Sequence, residues 1–160
     1  MARRPGDVLR AAWRRLAPLP GGTRLFSRVL ARMIPYTGTV RPHVVALEPG
    51  YARVEMRDRR RVRNHLRSIH AIALANIGEL ASGLAMTMAL PPDVDGILTG
   101  LSVEYSKKAR GTVAAECRTS PPAVSAPVEH VAIAEVRDAA GDIVAVVRAT
   151  WRLRAARRAG

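Results

Sequence analysis

The sequence is poor in cysteine, aromatic residues and lysine: 160 residues include one cysteine, six aromatic residues and two lysines. The lone Cys117 excludes an intrachain disulfide and is typical of a reducing compartment. Few aromatic side chains are available for stacking on nucleic-acid bases. The four histidines and the cysteine show no metal-ligand spacing, and no glycine-rich phosphate loop is present. These absences argue against a disulfide-stabilised secreted protein, a metal site and a nucleotide-loop enzyme.

Acidic residues are scarce in the first part of the chain. Asp7 is the only acid before Glu48, and residues 1–67 hold sixteen arginines and four acids, within a net charge of +13. A positive field of this strength suggests an anionic partner such as nucleic acid, a membrane surface or a phosphorylated ligand. Nucleic acid is the weakest of these three interpretations, because no helix-turn-helix, zinc finger or RNP-type aromatic pattern accompanies the charge.

The first 36 residues pattern as two amphipathic helices. We predict one over residues 7–17 with Asp7 as its cap, and a second over residues 23–34 with Thr23 as its cap. One interpretation packs both helices on the domain, and the other rests their basic amphipathic surface on an anionic membrane. No unbroken apolar run follows the N-terminal arginines, so we predict no secretory signal and expect a cytoplasmic protein.

One stretch, residues 64–90, organises the rest of the chain. A polar loop, residues 64–68, leads into an apolar run in which Glu79 is the only charge between His70 and Asp93. A run that is apolar on every side predicts a buried helix, and a central glutamate argues against a membrane span. An ionised carboxylate in apolar surroundings is costly unless it is paired. We therefore expect Glu79 to titrate abnormally, as general bases do.

Strand patterns flank this predicted helix on both sides. They cover residues 43–47, 51–57, 97–105, 112–118, 128–137 and 143–154. The alternation in the third of these places five side chains on one side of the strand: Ile97, Thr99, Leu101, Val103 and Tyr105. The order predicts an α+β fold, with a curved antiparallel sheet wrapped around one long helix and a second subunit covering the open side. We expect N-terminal helices in residues 1–36, the main domain in residues 37–154, and a frayed basic tail in residues 155–160.

Three phrases in the chain, IPYTGTV, RNHLRSIHAIALANIGELASGLA and YSKKARGT, resemble a bacterial hotdog-fold family known mainly as a domain of uncharacterised function. The second phrase also resembles the active-site segment of the PaaI-type acyl-CoA thioesterases. Their signature is an Asn, a Gly three residues later, then His-Gly-Gly, and an acid nine residues after the His. Asn64, His70 and Glu79 match that spacing. The resemblance covers roughly residues 20–153 and implies a hotdog-fold acyl-CoA thioesterase, as a homodimer or a dimer of dimers.

The resemblance implies a catalytic site around the start of the long helix. Glu79 would be the general base or nucleophile, with Asn64 and His70 beside it, and the backbone N–H groups of Ala71 and Ile72 would hold the oxyanion. Each role has an alternative. Glu79 could be a structural carboxylate paired with an arginine such as Arg67, Asn64 a turn or cap residue, and His70 a hydrogen-bonding helix cap.

Substrate contacts are expected at further positions. The basic turn with Lys107, Lys108 and Arg110 could bind the phosphates of coenzyme A, or could be a solvated surface turn. Gly83 could leave room for an acyl chain or allow close helix–sheet packing, and Arg67 also lies in the site segment. Coenzyme A would enter as part of the substrate, and we expect neither a separate cofactor nor a metal.

The chain departs from the thioesterase signature where backbone must approach the substrate. Arg67 stands in place of the first glycine, and Ala71 and Ile72 stand in place of the pair after the histidine. Side chains at these positions narrow the approach to the thioester carbonyl. A non-catalytic hotdog module that binds acyl-CoA or a fatty acyl ligand is therefore the alternative function.

Overall fold

The computed structural model describes residues 4–156 and shows an α+β fold over that range. The helices are α1 (Pro5–Leu16), α2 (Gly22–Met33), α3 (Pro35–Gly38) and α4 (Ala71–Ala89). The strands are β1 (His43–Glu48), β2 (Tyr51–Met56), β3 (Val94–Tyr105), β4 (Val113–Arg118), β5 (Val128–Arg137) and β6 (Ile143–Ala155). A short 3-10 turn, Arg60–Val62, precedes the polar loop.

The strands form one sheet in the order β1-β2-β4-β5-β6-β3, and every neighbouring pair is antiparallel. The sheet curves around α4, which contacts each of its strands. β1 and β3 are the two edges of the sheet. The predicted hotdog architecture is confirmed.

Helix α4 is central because its residues are apolar and mostly small. Eleven of its nineteen residues are buried. By length and mean hydropathy (1.3) this helix could also cross a membrane, but 61% of the window concerned is buried inside the fold. Gly78 permits a close approach of α4 to the sheet, because Cβ of Val147 lies only 2.8 Å from where a Cβ on residue 78 would stand.

Helix α2 is fastened to the edge strand β1 by two buried or half-buried hydroxyl groups. The Oγ atom of Ser27 accepts a hydrogen bond from the N–H of Val44 (2.8 Å) and donates to the carbonyl of Thr23 (2.7 Å). The Thr23 hydroxyl in turn lies 3.1 Å from Nε2 of His43. These bonds hold the N-terminal helices against the sheet.

The two predicted helix caps were wrong. Pro5 stands at the start of α1 and Arg4 is its N-cap, so Asp7 lies in the first turn, where it pairs with Arg10 at 2.9 Å. A proline at the first helical position has the right φ and lacks only an N–H that would be unpaired anyway, which explains the earlier start. Gly21, with φ +72°, caps α2, so the predicted cap Thr23 is inside the helix.

The prediction that five side chains of β3 share one face was also wrong, because the strand contains a β-bulge. The register with β6 shifts between Leu98 and Gly100, so one residue is inserted and the alternation changes sides. Ile97 pairs with the exposed Arg152, whereas Leu101 pairs with the buried Ala149. Ile97 therefore does not share a face with Leu101, Val103 and Tyr105.

The first two residues of the predicted frayed tail, Ala155 and Ala156, belong to the fold. Ala155 is the last residue of β6, and the N–H of Ala156 donates to the carbonyl of Asp93 at 2.7 Å. The rest of the predicted tail, residues 157–160, and residues 1–3 of the predicted N-terminal region lie outside the described residues.

Candidate functional site

The polar loop before α4 is built around the side chain of Asn64. Its Oδ1 atom accepts hydrogen bonds from the N–H of Leu66 (2.9 Å), the N–H of Ser68 (3.2 Å) and the hydroxyl of Ser68 (3.1 Å). An asparagine that bonds backbone two and four residues ahead stabilises a turn. The Asn64 oxygen is thus used inside the loop, and only its amide NH2 group is left for a ligand.

Arg67 occupies a backbone conformation that favours glycine. Its φ is +56°, and its N–H donates to the carbonyl of Asn64 at 3.2 Å. Residues with side chains adopt this left-handed region rarely and at a cost in energy. This is the position at which the resembled thioesterases have a glycine. Within residues 4–156, Arg67 forms no ion pair with Glu79 or with any other carboxylate.

His70 is the N-cap of α4. Its Nδ1 atom accepts a hydrogen bond from the N–H of Ile72 at 3.1 Å, so in this state the ring proton resides on Nε2. The Ile72 amide is therefore already occupied. The N–H of Ala71 has no acceptor among the described residues, and its carbonyl accepts a hydrogen bond from the Tyr105 hydroxyl at 3.0 Å. One of the two predicted oxyanion donors is free.

The carboxyl group of Glu79 is half-buried and forms no hydrogen bond or ion pair with residues 4–156. Burial raises the pKa of this carboxyl above its ordinary value, since no cation offsets the loss of hydration. The alternative role of Glu79, a structural carboxylate paired with an arginine, is thus not observed within residues 4–156. An unpaired carboxyl with a raised pKa is the kind of group that serves as a general base.

Gly83 lies one turn after Glu79 and is covered by Trp151. A Cβ on residue 83 would stand 3.1 Å from Cη2 of Trp151 and 4.0 Å from Oε1 of Glu79. The indole N–H of Trp151 donates to the hydroxyl of Ser82 at 3.3 Å, which fixes the ring there. Close helix–sheet packing, one of the two predicted reasons for this glycine, therefore accounts for it.

The stripe of α4 that the sheet does not cover holds Ile72, Asn76 and Glu79. The Oδ1 atom of Asn76 is buried and has no hydrogen-bond donor in the described part of the chain. Eight residues separate Ala71 from Glu79, which is about 12 Å along the helix axis. The free amide and the carboxyl group of one chain therefore do not meet at a single carbonyl group.

A cleft of about 810 Å³ opens between the α2–α3 segment and the first turns of α4. His70, Ile72 and Asn76 line its α4 wall, and we refer to it as the α4 cleft. Glu79 lies one turn beyond its lining. The cleft reaches the start of the uncovered stripe.

A second cleft of about 960 Å³ lies between α2 and the end of β2. Arginines dominate its lining, and we call it the arginine cleft: Arg24, Arg28, Arg32, Arg41, Arg57 and Arg59. These arginines were not among the residues predicted to form the site. The signal was present in the spacing of four between the three arginines of α2, which places them in one row.

The basic turn after β3 is less available to phosphates than its sequence suggests. Nζ of Lys107 pairs with Asp138 at 2.8 Å and with Asp142 at 2.5 Å. Two carboxylates thus already neutralise this ammonium group. Lys108 and Arg110 are exposed and form no ion pair within residues 4–156.

Residues 4–156 contain no cluster of three or more His, Cys, Asp or Glu side chains that could bind a metal ion.

Cys117 is fully buried in the core, and burial raises the pKa of its thiol to about 11. The thiol is therefore protonated and packed as a small apolar side chain.

Residues 22–153 match the family described as Domain of unknown function (DUF4442). The chain belongs to this family. Its predicted resemblance to a hotdog family of uncharacterised function is thereby confirmed. A comparison with curated proteins gives no match.

Solved structures share the fold of this DUF4442 chain. The protein APC5556 is 30% identical, with a TM-score of 0.80 over 94% of this chain and 98% of its own. PA5026 from Pseudomonas aeruginosa, a protein of unknown function described as "Probable Thioesterase", is 22% identical, with a TM-score of 0.71 over 86% of this chain and 97% of its own. A mutant of the thioesterase SAV0944 from Staphylococcus aureus is 17% identical, with a TM-score of 0.67 over 75% of this chain and 98% of its own.

Proposed function

We propose that this protein hydrolyses an acyl-CoA thioester with Glu79 as general base or nucleophile. The observation that carries the proposal is the unpaired, half-buried carboxyl group of Glu79 on the uncovered stripe of α4. Burial raises its pKa, which makes the carboxylate a stronger base than one in water. The names of PA5026 and SAV0944, which share the fold, support the same reaction class.

The reaction transfers one acyl group to water. Glu79 takes a proton from a water molecule whose oxygen attacks the thioester carbonyl carbon. The resulting oxyanion accepts a hydrogen bond from the N–H of Ala71, at the positive end of α4. The carbon–sulfur bond then breaks, and the proton passes to the sulfur, giving a carboxylic acid and free coenzyme A. In the nucleophilic variant a carboxylate oxygen of Glu79 attacks the carbonyl carbon, and the carbon–sulfur bond breaks to release coenzyme A, whose thiolate takes a proton from water. Water then hydrolyses the resulting anhydride, which releases the carboxylic acid and restores the Glu79 carboxylate.

The proposed site needs two copies of the chain. About 12 Å of helix separates the Ala71 amide from Glu79, so a carbonyl group bound to the amide of one copy would be attacked by the carboxylate of another. The edge strand β3 supports a homodimer, because eleven of its twelve residues pair with β6 and its other edge pairs with no strand in residues 4–156. Ile72, Leu101 and Tyr105 are exposed beside that edge and would be buried by the second copy.

Two observations favour a second candidate, a module that binds an acyl-CoA or fatty acyl ligand without hydrolysis. The Ile72 N–H is occupied by the His70 ring, and Arg67 places a side chain where the resembled enzymes have none. The first observation leaves one hydrogen-bond donor fewer for the thioester carbonyl group, and the second leaves less space around that group.

The test is a panel of acyl-CoA thioesters incubated with the wild-type protein and with Glu79→Ala, with release of free thiol as the readout. We expect turnover by the wild type and none by a folded Glu79→Ala. Glu48→Ala is the control, since Glu48 is exposed at the end of β1 and forms no ion pair within residues 4–156. Full activity in Glu79→Ala would remove the assignment, and tight binding without turnover by the wild type would favour the second candidate.

A further inference from the structure

The arginine cleft carries a positive charge that the protein does not neutralise. Six arginines and one acid, Glu55, line it, and Glu55 itself is bonded to Arg53 at 3.2 Å. Within residues 4–156, none of the six arginines forms an ion pair. A concave surface of one sign concentrates ligands of the opposite sign.

The arginines approach the cleft from two walls. Arg24, Arg28 and Arg32 form a row along α2 at steps of about 6 Å. Arg57 and Arg59 follow β2 on the opposite wall, where Arg59 is held by a 2.7 Å hydrogen bond from its guanidinium to the carbonyl of Val40. Guanidinium groups bind phosphates through paired hydrogen bonds, so two facing rows suit a ligand with several phosphates.

The arginine cleft continues into the α4 cleft. Four residues line both: Ala31, Arg32, Gly38 and Arg41. Arg41, at the junction, has φ +49°, a conformation in which a residue with a side chain is strained. The positive charge of Arg41 thus lies where the two clefts meet, despite the strain in its backbone.

The far end of this path offers a polar group without a partner. Asn76 lines the α4 cleft, and its buried Oδ1 atom has no donor in the described part of the chain. An acceptor of this kind is satisfied by an N–H group of a bound ligand. The pantetheine arm of coenzyme A carries two amide N–H groups between its phosphates and its sulfur.

We infer that the arginine cleft binds the phosphate-bearing nucleotide end of coenzyme A, with the pantetheine arm running through the α4 cleft past Asn76 towards the stripe that holds Glu79. The inference rests on the proposed function for its choice of ligand. It moves the phosphate contacts from the turn at Lys107, which two aspartates neutralise, to the N-terminal helices.

The test is calorimetric binding of three probes to the full chain: coenzyme A, adenosine 3′,5′-bisphosphate and phosphate-free pantetheine. The variant Arg24→Glu/Arg28→Glu, at two positions that line only the arginine cleft, should weaken binding of both phosphate-bearing probes at least tenfold and leave pantetheine binding unchanged. Arg14→Glu/Arg15→Glu, on the exposed face of α1, makes the same change in net charge outside both clefts and should have little effect. The milder Arg24→Gln/Arg28→Gln should show a smaller loss of the same kind if the charge reversal disturbs folding.

Three results would overturn the inference. The first is equal weakening by the α1 control, and the second is wild-type binding of coenzyme A no tighter than that of pantetheine. The third is a protein that does not bind coenzyme A but binds vesicles containing phosphatidylglycerol through Arg24 and Arg28, which would assign the cleft to a membrane surface instead. Arginine-dependent binding of coenzyme A without hydrolysis of any acyl-CoA would refute the proposed hydrolysis while the inference stands.

Discussion

Val147 of β6 packs directly onto the backbone of α4 at Gly78, where any side chain would collide with it. Cβ of Val147 lies 2.8 Å from the position of a Cβ on residue 78, below the range that real side chains tolerate. We predict that Gly78→Ala lowers the free energy of unfolding by about 1–3 kcal/mol, since overpacking outweighs the gain of up to about 1 kcal/mol in helix propensity. Urea unfolding followed by circular dichroism measures the loss.

Gly83→Ala is the control for that prediction. A Cβ there would meet the edge of the Trp151 ring at 3.1 Å, a less severe contact, so the loss should be smaller. A Gly78→Ala protein as stable as the wild type would show that α4 does not sit this close to the sheet.

We predict that His70 acts on stability through its cap and not on the chemistry. His70→Ala removes the acceptor for the Ile72 N–H and should cost about 1 kcal/mol of stability. His70→Asn supplies an equivalent acceptor, so it should retain both stability and the rate of thioester hydrolysis. Loss of the rate in a stable His70→Asn protein would instead assign the ring an acid–base role.

Replacing Arg67 with glycine should relieve backbone strain. Arg67 has φ +56°, so Arg67→Gly should be neutral or stabilising by up to about 1 kcal/mol. It should also widen the approach to the thioester carbonyl and raise the hydrolysis rate. Arg61→Gly is the control: Arg61 has no positive φ, so glycine there should destabilise by about 0.5–1 kcal/mol. Equal destabilisation by both variants would argue against strain at Arg67.

The stability of the protein should depend on pH through Glu79. Burial raises the pKa of its carboxyl in the folded state, so the contribution of the protonated form is fully present below the ordinary pKa of 4.5 and is lost as the pH rises through the raised value. Glu79→Gln cannot ionise and should be more stable than the wild type near pH 7, by about 1 kcal/mol. Thermal unfolding at pH 4 and pH 7 tests this, because the difference should shrink at pH 4. A variant less stable than the wild type at pH 7 would reveal an unrecognised partner for Glu79.

Most of the architecture could be predicted from periodicity. Residues 69–90 are apolar on every side, so the central helix was evident, and β5 was predicted with its observed bounds, Val128–Arg137. The two helix caps and the face of β3 could not be predicted. Helix α1 begins at Pro5 and α2 is capped by Gly21, although Asp7 and Thr23 are residue types that cap helices more often. The bulge adds a residue to β3, but the alternation of apolar residues in the sequence does not show it.

The candidate site was only partly predictable, because its distances depend on tertiary structure. The sequence indicated an isolated carboxylate at residue 79, but not that Trp151 covers Gly83 or that the His70 ring occupies the Ile72 amide. Lys107 was expected to be free since its aspartate partners lie more than thirty residues away in the chain. The arginine cleft forms only when α2 docks against the sheet.

The pH dependence of acyl-CoA hydrolysis by the wild type and by Glu79→Gln tests the role of Glu79 most directly. We predict that kcat/KM of the wild type falls at acid pH with a midpoint above 4.5, because burial raises the pKa of Glu79. The folded Glu79→Gln protein should lose at least about 100-fold in kcat across the range and lose that acid limb. A Glu79→Gln protein with the rate and the pH profile of the wild type would contradict the account.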